Sequence, residues 1–273
     1  MTEQEYNNTE GIRRSDLWRM NDSAEKFKYF LEHPVEQTDA MAFGSACHKM
    51  ILEPDDFGNE YVVAPEINRR TNAGKAEWEE FCKANEGKTI LAADKLEEIA
   101  GMEAAMEACP MAYELLRDIV GQTEMPIFWR DPETGEKCKA KLDRLMVDRN
   151  KRFFIVDYKT TQSAQTEKFN RSIINYGYAL QAAMYAEGLK EVLELYYTPE
   201  FVFVAQEKKA PYSVNVIKVS PEVMEYGSKQ FHSLLRKYHT CKELDEWPGY
   251  IPVDGSMNWT DLPAWVDEEE EES

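Results

Sequence analysis

The 273-residue sequence has few cysteines, no long apolar run and a shortage of positive charge. Each shortage sets aside a class of protein. The five cysteines (Cys47, Cys82, Cys109, Cys138, Cys241) are odd in number, and no two lie closer than 27 positions. With neither a CxxC pair nor a metal-knuckle spacing, no disulfide framework, zinc finger or iron–sulfur cluster is expected, only reduced and buried thiols. No apolar stretch approaches the roughly 18 to 20 residues that span a bilayer. Met1 to Glu10 is polar and acidic, unlike a secretory leader. A cytoplasmic location and no membrane partner are therefore expected.

Lys and Arg number 32 against 51 Asp and Glu, for a net charge of −19. That balance speaks against a polyanionic partner, because nucleic-acid affinity draws on cations meeting phosphates. The distribution qualifies the sum. Asp267 to Glu272 are six consecutive acids, expected to form a disordered tail over 266–273. Lys137 to Arg152 carries seven basic residues against two acidic ones, a locally basic stretch. Apolar residues at 43% and charged residues at 30% fit an ordinary packed domain, and no linker composition interrupts residues 1–265, so one domain is expected there.

Periodicity predicts a helix over 14–33 with Ser15 as a cap, a second over 40–52, and one or two more over 94–118, broken at Cys109-Pro110. The period then changes to two. Strands are predicted over 124–130, 136–147 and 152–159, joined by the turns Asp131–Gly135 and Asp148–Lys151, which makes an antiparallel meander. A helix over 173–188, strands near 201–206 and 212–219 and a last helix over 221–244 follow. The strand–helix–strand portion can cross over onto the same sheet. The expected class is α/β: a mixed central sheet flanked by helices, built from an antiparallel meander plus a βαβ crossover, with a helical N-terminal part.

Asp157 and Lys159 are two apart on a predicted strand, so both leave one face of the sheet. Asp143 lies fourteen residues earlier, across a hairpin long enough to bring it opposite the same patch. Paired carboxylates beside open positions suit a Mg²⁺ ion shared with a phosphate, and a neighbouring ammonium suits charge developing on phosphorus. A D-x-K pair alone also reads as a surface ion pair, and His48 as a core helix histidine. Arg69, Arg70, Thr71 and Lys75, at a predicted helix start, are candidates for a phosphate contact, as are Lys139 and Lys141 on the basic strand.

Taken together, Gly44-Ser45-Ala46-Cys47-His48, Asp143, Asp157-Tyr158-Lys159 and Gln181-Ala182-Ala183-Met184-Tyr185 resemble the GxxxH, first-acid, (D/E)xK and QxxxY elements of the PD-(D/E)xK nuclease superfamily. The likeness is to phage exonucleases similar to exodeoxyribonuclease VIII and to RecB-type nuclease domains. Leu142 stands where the superfamily has proline, and the second acid is Asp157 rather than Glu. The resemblance implies a restriction-endonuclease-like core and a Mg²⁺-dependent DNA exonuclease, with Mn²⁺ also supporting activity. Its catalytic residues would be Asp143, Asp157, Lys159, Gln181 and Tyr185. The metal would be held by His48, Asp143, Asp157 and the Tyr158 carbonyl, with Gln181 touching nucleic acid or water and Glu124 as a secondary acid. It further implies duplex DNA ends as substrate, 5′-to-3′ resection, a single-strand annealing recombinase as partner and a ring-shaped homo-oligomer. An endonuclease using the same groups, or a binding module with a vestigial site, are the alternatives.

Overall fold

The computed structural model describes residues 1–33, 35, 38–117, 120–251 and 255–260, so the expected acidic tail over 266–273 lies outside the described residues. In chain order the helical N-terminal part comprises α1 (Glu3–Asn8), α2 (Arg14–Asp22), α3 (Ala24–Glu32), α4 (Asp39–Leu52) and α5 (Pro54–Glu60). A short strand β1 (Tyr61–Val63), α6 (Asn72–Ala84) and β2 (Thr89–Leu91) follow, with β1 and β2 paired in parallel. Then come α7 (Ala93–Glu107) and α8 (Pro110–Arg117), broken where Cys109-Pro110 predicted.

The main sheet is built from β3 (Gln122–Arg130), β4 (Lys137–Val147), β5 (Phe153–Thr161), β6 (Glu200–Glu207) and β7 (Val214–Lys218), in that spatial order. β3, β4 and β5 form the antiparallel meander. α9 (Thr166–Asn175) and α10 (Tyr178–Val192) carry the chain from β5 over to β6, which pairs with β5 in parallel, and β7 closes the sheet antiparallel to β6. The C-terminal helix is α11 (Pro221–Leu244). The mixed sheet with a crossover is thus the architecture expected from the sequence.

Alternation along the central strands divides the core in two. Ile155, Phe201, Phe203 and Ala205 face one layer with Leu17 and Met20 of α2, Phe27 of α3, Leu180 and Met184 of α10 and Phe231 and Leu235 of α11. Val156, Tyr158, Val202 and Val204 face the other, with Cys47 and Ile51 of α4, Ile99 and Met102 of α7 and Leu116 of α8. Tyr158 is fully buried and its hydroxyl donates to Gln206 Oε1 at 2.6 Å. Gln206 in turn donates to the Met102 carbonyl at 2.7 Å, so the polar tip costs little in the core. Among the described residues no helix is long and apolar enough to cross a membrane.

Two predicted helices are each divided. The helix over 14–33 breaks at Ser23, whose hydroxyl accepts from Lys26 N–H and starts α3, while Asp16, not Ser15, accepts the Arg13 N–H at the start of α2. The helix over 173–188 breaks at Gly177, which adopts the left-handed φ of +66° that an L side chain resists. α10 and α11 meet at Gly227, where an added Cβ would lie 2.0 Å from the Ala179 carbonyl oxygen. Gly227→Ala is expected to cost about 1 to 3 kcal/mol by overpacking, measured in urea melts. Gly58→Ala, which meets open space, should leave the midpoint unchanged or slightly raised.

Candidate active site

The β4–β5 ladder pairs Val147 with Phe153 and Arg144 with Val156, and ends there. Asp143 and Asp157 are the next positions in that register, so both side chains sit where the two strands stop pairing. β4 stays with β3 beyond this point, down to Lys137 opposite Arg130. In place of a ladder bond, the Tyr158 N–H donates to Asp143 Oδ2 at 2.9 Å. The gap between neighbouring strands is what lets side chains from both layers of the molecule converge.

Asp157 is 1% exposed. Gln181 of α10 donates to its Oδ1 through Nε2 at 2.5 Å, and Lys159 Nζ lies 2.6 Å from Oδ2. Lys159 is thus the charged partner of a buried Oδ2. Gln181 Oε1 accepts from Arg14 Nη2 at 3.2 Å, so both ends of its amide are used. The sequence resemblance had Gln181 touching nucleic acid or water. Here it is buried, and its amide is bonded to Asp157 at one end and Arg14 at the other. Tyr185, one turn on, is half-buried among the apolar residues of the first layer, 6.5 Å from the Phe201 ring, and burial raises its pKa.

From the other layer α4 brings His48. Its ring lies edge-on to Tyr158 at 5.1 Å and places Nδ1 3.5 Å from Asp143 Oδ2. Burial, with Lys159 adding to it, depresses the His48 pKa to about 4, so the imidazole is neutral near pH 7. The contact with Asp143 is therefore not an ion pair, and the ring keeps a lone pair for a cation.

Glu124, the secondary acid of the resemblance, faces the same site. It lies inside β3 with a φ of +51°, in the left-handed region where side chains other than glycine are strained. The residues on either side pair normally, Thr123 with Arg144 and Met125 with Leu142. Its carboxylate pairs with Lys141 Nζ at 2.6 Å, and Lys141 also reaches Glu3 of α1 at 2.7 Å. His48, Glu124, Lys141 and Asp143 line one cavity of about 630 Å³, whose rim includes Glu3 and Tyr6 of α1.

Lys139, a candidate phosphate contact, is turned inward. It is 3% exposed, and its amine donates to the Tyr6, Asn7 and Thr9 carbonyls at 2.9, 3.2 and 2.5 Å, capping the C-terminal end of α1. Alternation had placed it on the same face as Lys141, but a helix from the far N-terminus covers that face. Part of the basic stretch is engaged within the protein: Lys137 pairs with Glu10 at the surface, and buried Arg144 donates to the Leu115 carbonyl and Thr123, while Arg149, Lys151 and Arg152 stay exposed. Arg69, Arg70, Thr71 and Lys75 lie at the start of α6 and do not line the cavity. Thr71 caps that helix, and the Arg69 guanidinium stacks on Trp78 at 3.2 Å. Arg14 and Glu3 are the site residues that sequence reasoning missed. Neither lies in a motif, and Arg14 meets Gln181 across 167 positions.

Burial, reinforced by the charge of Glu124, raises the Asp143 pKa to about 6. Burial, reinforced by Asp143, does the same for Asp157. Lys159 loses from burial but gains more from Asp157 and Asp143, and its pKa rises. It is therefore a fixed cation. Among the described residues no three His, Cys, Asp or Glu side chains are grouped closely enough to hold an ion by themselves. A hard divalent ion that keeps its waters and is shared with a phosphate needs only one or two carboxylates. Asp143 and Asp157 meet that requirement, with neutral His48 beside them, so the donor set fits such an ion.

The family model of the PDDEXK-like domain of unknown function (DUF3799) matches residues 14–253. Among solved structures, the chain is similar to a protein from Eubacterium rectale provisionally named an exonuclease, at 14% identity and a TM-score of 0.61, covering 98% of this chain and 97% of that one. That likeness is one of fold. The protein SSO0001 is more distant, at 12% identity and a TM-score of 0.38, covering 86% of this chain and 81% of its own. No curated protein matches the chain.

The two carboxyls give the metal-free protein a defined pH response. Between about 4 and 6 the folded chain holds protons that the unfolded chain has released, so their contribution to stability falls as pH rises through about 6. His48, lowered to about 4, works in the opposite sense up to its unfolded value. Urea melts in chelator at pH 4.5 and 7 should show the wild type losing stability relative to Asp143→Asn/Asp157→Asn, by on the order of 3 kcal/mol. An equal pH response in the two chains would contradict this assignment.

Proposed function

The chain belongs to the PDDEXK-like domain family, and we propose that it is a divalent-metal-dependent deoxyribonuclease that hydrolyses phosphodiester bonds from the ends of duplex DNA. The observation that carries this reading is the meeting of Asp143 and Asp157 at the end of the β4–β5 ladder, with Lys159 held 2.6 Å from Asp157. Mg²⁺ is the ion the oxygen donors favour, and the neutral imidazole of His48 is compatible with Mn²⁺ as well.

The cavity supports the need for an ion. Five carboxyl groups line it, those of Glu3, Glu53, Glu60, Glu124 and Asp143, against the amines of Lys49 and Lys141. Lys49 is already paired with Glu53 and Glu60, and Lys141 with Glu3 and Glu124. A phosphate entering such a site needs added positive charge. A bound divalent ion supplies it as a Lewis acid against the phosphate oxygens.

The chain's own groups divide the remaining work. Asp143 and Asp157 hold the ion once both are ionised. Asp157 is aimed by Gln181, which Arg14 fixes in turn. Lys159 stays protonated, so it acts by facing charge that develops on the phosphoryl group and leaving oxygen rather than by taking a proton from water. Tyr158 contributes backbone: its N–H holds Asp143, and its ring anchors the strand in the core.

Exonuclease over endonuclease, 5′-to-3′ resection, a single-strand annealing partner, a ring-shaped homo-oligomer and a cytoplasmic place of work all rest on the resemblance of the motifs to phage exonucleases. The test is end-labelled linear duplex and closed circular duplex, each incubated with Mg²⁺. The linear substrate should shorten from the 5′ strands while the circle survives; nicking of the circle would favour the endonuclease. Asp157→Ala should lower hydrolysis by about 10³-fold or more and leave DNA binding in place. Undiminished hydrolysis in that variant would overturn the site.

A further inference from the structure

The corner between α9 and α10 carries an aromatic step that hydrolysis itself does not require. Tyr176 is 59% exposed, and Ile174 beside it is 45% exposed. The Tyr176 ring lies 5.8 Å from that of Tyr178. Tyr178 in turn sits under two cations of the site, with Lys159 Nζ 5.2 Å and the Arg14 guanidinium 5.8 Å from its centroid. From Asp157 outward the order is thus cation, half-buried ring, exposed ring.

The corner is built rather than incidental. Gly177 separates the two tyrosines at a φ of +66°, and a Cβ there would lie 2.3 Å from the Trp18 ring of α2. Trp18 presses on the turn, and only glycine fits beneath it. Tyr176 is therefore an exposed ring on a fixed backbone, which loses little freedom when something stacks on it.

An exposed ring one aromatic step away from cations matches an unpaired nucleotide, whose base offers a π-face and whose phosphates answer the charge. Bases inside a duplex have both faces covered by their neighbours, so only a frayed or terminal base can use such a ring. We propose that Tyr176 is a stacking platform for an unpaired nucleobase of the strand being cut, so that the chain takes strand ends in single-stranded form. This rests on the nuclease reading above and adds a base-binding subsite to it.

The test uses the full chain with Ca²⁺ in place of Mg²⁺ and a twelve-nucleotide deoxyoligonucleotide carrying 2-aminopurine at its 5′ or its 3′ terminal position. With one of the two probes, the wild type should quench the fluorescence on binding. Tyr176→Ala should lose the quench and bind about 5- to 100-fold more weakly, while Tyr176→Phe keeps both. An abasic residue at the terminal position should bring the wild type down to the Tyr176→Ala level. A Tyr176→Ala chain that binds and quenches like the wild type overturns the platform alone. Equal weakening toward a duplex closed by hairpins at both ends also overturns it, because no unpaired end is present there. Failure of the wild type to bind either probe overturns the platform, whereas the nuclease reading falls only if the linear duplex is not hydrolysed.

Discussion

The burial of Asp157 is the constraint to which the rest of the site answers. A carboxylate removed from water is costly unless charge and hydrogen bonds replace the lost hydration. The chain supplies that replacement from three separate places: Lys159 two residues along the same strand, Gln181 from the crossover helix, and Arg14 behind Gln181 from the N-terminal part. The compensation is incomplete, since the pKa remains raised to about 6. A group left this way has an open demand for positive charge, which a divalent ion would meet. The same demand explains why α2 and α10 must be held in fixed relation to β5.

How much of this was legible in the sequence depends on the range of the interaction. The period of two across 136–159 gave the meander, and D-x-K on one strand gave the shared face, because both are set by neighbours along the chain. The register that brings Asp143 opposite Asp157 followed from the length of a hairpin. Ser23 and Gly177 were visible as residues, but a hydrophobic stripe running through them outweighed their capping signals. The cost was a misplaced boundary in each case, and at Gly177 it hid the corner that exposes Tyr176.

What the sequence left unseen on this strand has one cause. Lys139 and Lys141 alternate correctly onto one face, yet alternation cannot say what covers that face. Here α1, more than a hundred residues away, covers it and turns one lysine into a helix cap and the other into a partner for Glu3 and Glu124. Glu124, a secondary acid on the resemblance, lines the same cavity as Asp143. Its carboxylate reaches Lys141 from a strained backbone conformation that no propensity predicts.

The charge of the whole molecule is better understood from this site than from composition. A net of −19 argued against a nucleic-acid partner, and the basic stretch argued for one. In the structure Lys137, Lys139, Lys141 and Arg144 of that stretch have partners within the protein while Arg149, Lys151 and Arg152 stay exposed, and the cavity itself is acidic. An acidic cavity is still compatible with a polyanion if charge is delivered by an ion that both carboxylates and phosphate can hold. Affinity would then be set by ion occupancy more than by surface lysines, and the net charge of the chain would bear on how fast DNA arrives rather than on whether it is cut.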